Sequence, residues 1–161
     1  MLFTVVLLVA GQTPIDPKLQ GQLNKVIPQA THFSPKGGNP PHYTAYSGDT
    51  NSQTVAGYAF WTTELEPLER GYDGPIKMLV GMDPKGVLTG VLVVENHEPY
   101  GYFSVDTPQF AAQFIGKNIR DPFKVGADVD AISRASISVT SASRAIRNSA
   151  RRIARELLTP S

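Results

Sequence analysis

The chain has 161 residues, 41% of them hydrophobic and 18% charged, with a formal net charge of +1 and no cysteine. That size and composition suit one globular domain with a real core, not a disordered chain. The near-neutral balance gives no electrostatic footprint for nucleic acid, and the lack of cysteine removes disulfides, thiolate metal sites, iron–sulfur clusters and cysteine nucleophiles.

Met1 to Ala10 is almost wholly apolar. It is too short to span a bilayer. It reads as a short or truncated export signal with Ala10 near the cleavage point, leaving 11–161 as a single domain. Phe3, Thr4, Val5 and Val6 would also suit a buried first strand. Between Thr13 and Ala30, Leu19, Leu23, Val26 and Ile27 recur at helical spacing; Pro14 and Pro17 precede them and Pro28 closes the segment, so a short helix is expected. His32 to Pro41, rich in Pro and Gly, reads as a loop. His42 to Tyr46 and the aromatic run Val55 to Thr63 read as strands joined by the polar turn Ser47 to Gln53.

After the punctuation Arg70-Gly71-Tyr72-Asp73-Gly74-Pro75, the clearest hairpin follows: Ile76 to Met82 and Val87 to Glu95, turned by Asp83-Pro84-Lys85-Gly86. Asp106-Thr107-Pro108 opens a helix with a capping residue and a proline in the first turn. Phe110, Phe114 and Ile115 would be its buried stripe and Gly116 its stop. Ile119 to Val129 reads as a mixed loop or short strand. A last helix is expected from about Thr140 to Leu158, with Ala142, Ala145, Ile146, Ser149, Ile153 and Leu157 on one face. Strands grouped together and flanked by helices argue for an α+β fold, an antiparallel sheet with flanking helices. No dinucleotide-type glycine fingerprint, Walker lysine loop or GxSxG elbow occurs, and His32, His42 and His97 show no ligand spacing.

Chemistry concentrates at the junction Asp130-Ala131-Ile132-Ser133-Arg134-Ala135-Ser136-Ile137-Ser138, which runs into the last helix. Ser133, Ser136, Ser138, Thr140, Ser141 and Ser143 crowd it. Spacing alone reads as capping, one hydroxyl accepting from a backbone N–H and the rest solvated. The same junction is also a place to hold a phosphate, because N–H groups at a helix start lack helical partners and the dipole there is positive. His97-Glu98-Pro99-Tyr100-Gly101-Tyr102 reads as a turn with a surface histidine and aromatics at a core edge; Gly71, Tyr72 and Gly74 read as another turn. Arg144, Arg147, Arg151, Arg152 and Arg155 form a basic helix face, solvated by default.

These segments together resemble the FMN-binding domain family, in particular the extracytoplasmic flavin domain of the nitrous-oxide-reductase regulator type. Gly71-Tyr72-Asp73-Gly74-Pro75-Ile76 matches the family's glycine–tyrosine turn, Met78 to Val94 its hairpin, and Asn96-His97-Glu98-Pro99 its histidine–glutamate–proline loop. Ser133-Arg134-Ala135-Ser136 matches the flavin-attachment core. The likeness spans roughly 55–157. Ser136 stands where the family has its acceptor threonine, and Arg134 where it has glycine.

The resemblance implies FMN esterified through its phosphate to Ser136. Asp130 is then the acidic residue read by a flavin transferase, and Ser133, Arg134, Ala135, Ile137 and Ser138 surround the phosphate. Serine offers the same hydroxyl nucleophile as threonine, and Arg134 could pair with the phosphodiester charge. His97, Glu98, Pro99 and Tyr100 would line the isoalloxazine, with Tyr100 or Tyr102 packing on it, and Gly71, Tyr72 and Gly74 would form a loop over it. The function implied is an electron carrier, not a self-contained enzyme, in a bacterial respiratory system, with membrane-bound redox proteins as donor or acceptor. The location implied is periplasmic or otherwise extracytoplasmic and membrane-associated, with peripheral membrane contact through the arginine face. The substitutions at 134 and 136 raise an alternative, a flavin-free binding or assembly module. A third reading is an enzyme with dissociable FMN.

Overall fold

A computed structural model of the chain describes residues 15–49 and 51–158; the apolar segment read as an export signal lies outside them. Helix α1 (Pro17–Val26) starts where expected: Asp16 accepts the Leu19 N–H at 2.8 Å, and Pro17 occupies the first turn. Strands β1 (His32–Phe33), β2 (Tyr43–Ser47), β3 (Thr54–Trp61), β4 (Lys77–Met82) and β5 (Leu88–Glu95) form one antiparallel sheet in sequential order. The fold is α+β, as the element order predicts. Within the stretch read as a loop, His32 and Phe33 pair with Tyr46 and Ala45 as a two-residue edge strand, too short to leave an alternating pattern in the sequence.

The sheet is covered on both faces. On one, α1 packs Leu23, Val26 and Ile27 against Ala59, Trp61 and Leu79. On the other, helix α4 (Ser136–Leu157) sets Val139, Ala142, Ile146 and Ile153 against Phe60, Met78, Val80 and Met82. The strict alternation along β4 sends Met78, Val80 and Met82 to α4 and Leu79 to α1. Gly81 and Gly90 face each other across the β4–β5 ladder. A Cβ on Gly81 would run into the Val26 carbonyl, and one on Gly90 would lie 2.7 Å from Val26 Cα. The side-chain-free patch lets the end of α1 lie directly on the sheet, where Thr89 Oγ1 donates to the Val26 carbonyl at 2.6 Å.

Three boundaries differ from the pattern reading. The chain leaves β3 at Thr62 and turns into helix α2 (Thr62–Leu65); the Thr62 hydroxyl accepts the Met78 N–H at 3.2 Å, pinning the start of β4. Helix α3 (Pro108–Ala112) is one turn long; Phe110 and Phe114 are buried in edge contact, whereas Ile115 is 59% exposed because the chain unwinds before it. Helix α4 starts at Ser136, one turn before the expected Thr140. It is 22 residues long, and none of its hydroxyls caps it.

The segment Ile119 to Val129 is an irregular loop folded around Asp128, whose carboxylate accepts the N–H groups of Phe123 (3.0 Å) and Lys124 (2.6 Å) and lies 3.5 Å from Lys117 Nζ. The arginine face of α4 is largely occupied. Arg144 forks onto Glu69, with Nε 3.0 Å from both oxygens. Arg152 donates to the Leu65 carbonyl at the end of α2 (2.6 Å), and Arg151 to the Ile119 and Asp121 carbonyls (2.7 and 2.8 Å). Arg147 reaches the Pro122 carbonyl at 3.4 Å. Of the five, Arg155 alone has no partner among the described residues, so the stripe read as a solvated face staples loops to the helix. Among the described residues no helix is long and apolar enough to cross a membrane.

Two outcomes follow from this packing. Gly81→Ala pushes α1 off the sheet and lowers stability by about 1–3 kcal/mol, read as a lower urea midpoint at unchanged slope. The second concerns Asp128, where partial burial would raise the carboxyl, but the Lys124 and Phe123 N–H groups and the Lys117 charge outweigh it and hold the group below its ordinary 3.8. A depressed carboxyl contributes stability above its unfolded value and loses it as pH falls through the folded one. Amide exchange at Phe123 and Lys124, followed below pH 4, should therefore accelerate beyond the intrinsic rate change as Asp128 takes up its proton.

Candidate functional site

The antiparallel register brings the site together. Lys77, first in β4, pairs with Glu95, last in β5. The segment entering β4 and the segment leaving β5 therefore leave the sheet at one end. The entering segment folds back at Gly71, whose N–H donates to the Gly74 carbonyl at 2.8 Å, with Gly74 at φ +105°. Glu98 of the leaving segment is buried, and its two carboxylate oxygens accept the N–H groups of Tyr72 (2.6 Å) and Asp73 (2.7 Å). Gly71 is required beneath it, because a Cβ there would collide with Glu98 Oε1. The leaving segment is itself braced: Asn96 Oδ1 accepts the Glu98 N–H (3.1 Å), Asn96 Nδ2 donates to Asp106 Oδ1 (2.6 Å), and the Gly101 N–H closes onto the Glu98 carbonyl (3.1 Å).

The third component is the start of α4. The Ala135 N–H donates to the Ile132 carbonyl at 3.1 Å, and Arg134 is held at φ +70°, the left-handed region. That backbone suits glycine, and a side chain there costs about 1–2 kcal/mol. After Arg134 the helix begins abruptly, with Ala135 at the capping position and no side-chain cap. Val139 is the first residue to donate into the helix, to the Ala135 carbonyl at 3.0 Å; the N–H groups of Ser136, Ile137 and Ser138 have no acceptor among the described residues. Ser138 is 3% exposed, and the one buried hydroxyl without a partner among the described residues is Ser149 Oγ, further along the same helix. Uncapped donors at a helix start concentrate positive potential.

Tyr72, Pro99, Tyr100, Arg134, Ser136, Ile137 and Ser138 line a single cavity of about 400 Å³, within the range typical of small-molecule sites. Three segments far apart in sequence thus converge on one pocket. Ser136 is exposed within it, Arg134 is the one charged side chain in its lining, and no carboxylate is present there. Tyr72 and Tyr100 are 69% and 41% exposed and give two aromatic surfaces to its lining. The lining combines donors and a cation for an anion with flat apolar surface for a planar group.

The other candidates take different places. Gly71, Gly74 and Glu98 shape the turns behind the wall, with the Glu98 carboxylate aimed at backbone N–H groups and not at the cavity. The family resemblance implies that carboxylate in the lining; two adjacent N–H donors hold it turned inward instead. His97 is exposed, with Nε2 3.8 Å from Glu95, and does not line the pocket. Ala135 is buried under the helix start. Asp130 and Ser133 are exposed on the approach, outside the lining, and the Asp130 N–H donates to Gln113 Oε1 at 2.9 Å. The reading from sequence missed the Glu98 brace and the Glu69–Arg144 fork, which joins partners 75 positions apart with no motif to announce it.

The model of the FMN-binding domain matches residues 71–151, the stretch from the Gly71 turn into α4. A subunit of the ion-translocating oxidoreductase complex of Haemophilus influenzae is 49% identical over 47 residues, 29% of this chain and 21% of that protein. The regulatory protein NosR of Stutzerimonas stutzeri is 26% identical over 148 residues, covering 86% of this chain and 20% of that protein. The chain thus spans about a fifth of the length of these relatives.

The strained residue gives a direct check. Arg134→Gly removes the left-handed penalty, partly offset by about 0.4–1 kcal/mol of added freedom in the unfolded chain. Thermal unfolding should show a variant at least as stable as the parent, whereas Arg134→Val, β-branched at the same φ, should be less stable than either.

Proposed function

The chain belongs to the FMN-binding domain family, and from that membership we propose that it is an electron-transfer flavin domain whose FMN is esterified through its phosphate to the Ser136 hydroxyl. One observation carries the proposal. The exposed Ser136 hydroxyl stands at an uncapped helix start, in a pocket whose lining holds one cation, no acid and two tyrosines.

The residues fit the group. The N–H groups of Ser136, Ile137 and Ser138 and the Ser138 hydroxyl receive the phosphate oxygens, and the Arg134 guanidinium offsets the charge left on the diester. Arg134 does this from a backbone conformation that glycine would adopt, so the substitution keeps the turn and adds a cation. Tyr72 and Tyr100 bound the ring and limit its contact with water. Bound FMN supplies reversible uptake and release of electrons; the chain binds it, orients it and sets its exposure.

Attachment needs an activated donor. A flavin transferase presents a flavin dinucleotide, Ser136 Oγ forms the new O–P bond, the pyrophosphate bond breaks and the nucleoside monophosphate leaves, while the hydroxyl proton passes to a base of the transferase. Asp130, exposed on the approach to the helix, is the acidic residue that the transferase reads. Two relatives are named as a subunit of an ion-translocating oxidoreductase complex and as a regulatory protein. With them in view, the donor and acceptor of this domain are redox proteins of a bacterial membrane, and the domain works on its extracytoplasmic side, in the periplasm where there is one.

Co-production with a bacterial flavin transferase and intact-mass analysis tests this. The expected product gains FMN less one water on the peptide containing Ser136. The gain should be lost in Ser136→Ala and kept in Ser136→Thr. An unmodified, colourless wild-type protein would overturn the proposal and favour a flavin-free binding or assembly module.

A further inference from the structure

We propose that Glu98 is a positioning residue: its buried carboxylate locks the Gly71–Gly74 turn, so that Tyr72 becomes a fixed wall of the cofactor pocket. The part concerning the cofactor rests on the flavin reading above. Glu98 touches nothing in the cavity, and its two oxygens are spent on consecutive N–H groups, Tyr72 at 2.6 Å and Asp73 at 2.7 Å. Short bonds from two neutral donors to one buried carboxylate are strong and directional.

Without that carboxylate the turn has little else to hold it. The Gly71–Gly74 bridge is its one internal backbone bond, and the Tyr72 side chain is 69% exposed, so no core packing fixes the ring. Glu98 is itself immobilised by Asn96 and by the Gly101 N–H, with Asn96 held by Asp106. The brace runs Asp106, Asn96, Glu98, Tyr72, and it joins the segment leaving β5 to the segment entering β4 across the pocket rim. Gly71 belongs to the same device, because any Cβ there would displace the carboxylate. The glycine and the glutamate, 27 positions apart in the sequence, therefore act as one contact pair.

Two variants separate the brace from general stability. In Glu98→Gln the carboxamide has one acceptor oxygen, and its NH₂ must face a donor N–H. Gly71→Ala keeps the carboxylate but pushes it away, and it serves where Glu98→Gln does not fold. On the full chain without flavin, amide exchange at Tyr72 and Asp73 should accelerate by at least about tenfold in either variant, while the β4 and β5 amides keep their parental rates. On the flavin-loaded chain, iodide quenching of flavin fluorescence should rise in both variants to the level of Tyr72→Ala.

Unchanged exchange at Tyr72 and Asp73 would overturn the brace. Accelerated exchange with quenching unaltered, in Tyr72→Ala as well, would overturn the wall. If the wild-type protein accepts no flavin at Ser136, the wall falls together with the flavin reading, and exchange in the flavin-free chain decides the brace by itself.

Discussion

The β4–β5 ladder is the constraint on which the rest of the molecule depends. Its one face is smoothed by the Gly81–Gly90 pair to take the end of α1, and its other carries Met78, Val80 and Met82 against α4. Because Lys77 pairs with Glu95, the same ladder delivers two loops to one end of the sheet. A register slip of one residue would exchange the two faces of β4, burying glycine against α4 and methionine against α1. It would also part Glu98 from the Tyr72 turn. Core and pocket are thus specified by one set of backbone hydrogen bonds.

Against that rigid frame the pocket is where the chain gives up local stability. A helix of this length is ordinarily capped, and a missing cap costs about 0.5–2 kcal/mol. Here three backbone donors stand open, and the turn ahead of them holds a non-glycine at φ +70°. Features of this kind persist where the surroundings over-determine them, and they gather at functional sites. The surroundings in this case are long side chains from α4 itself. Arg144 on Glu69 and Arg152 on the Leu65 carbonyl fasten the helix to the segment that enters β4.

This division of labour accounts for the arginine stripe. In sequence it reads as a solvated basic face; in the fold, four of its five members satisfy carbonyls or a carboxylate on neighbouring segments. Guanidinium groups suit the task because their planar donors reach two acceptors at once and their stems cover apolar surface. Their use in loop fastening leaves Arg134 as the cation facing the pocket.

Much of this was legible in the chain itself. Alternation in Ile76 to Met82 and Val87 to Glu95 around Asp83-Pro84-Lys85-Gly86, the proline-bounded α1 and the spaced alanines and isoleucines of α4 specify their elements by local physics, and those elements arranged in that order imply α+β. The motifs at 71–74, 97–100 and 133–138, each with residues of special backbone or chemical needs, are the segments that contribute lining residues to the pocket. What local pattern could not carry was direction and pairing. The inward turn of Glu98, the positive φ at Arg134, the open helix start at Ser136 in place of a hydroxyl cap, and the exposure of Ile115 all depend on which segments the sheet register brings within hydrogen-bonding distance. Periodicity in a sequence reports the face a residue is on; only the tertiary fold decides what stands opposite that face, since those neighbours come from positions tens of residues away.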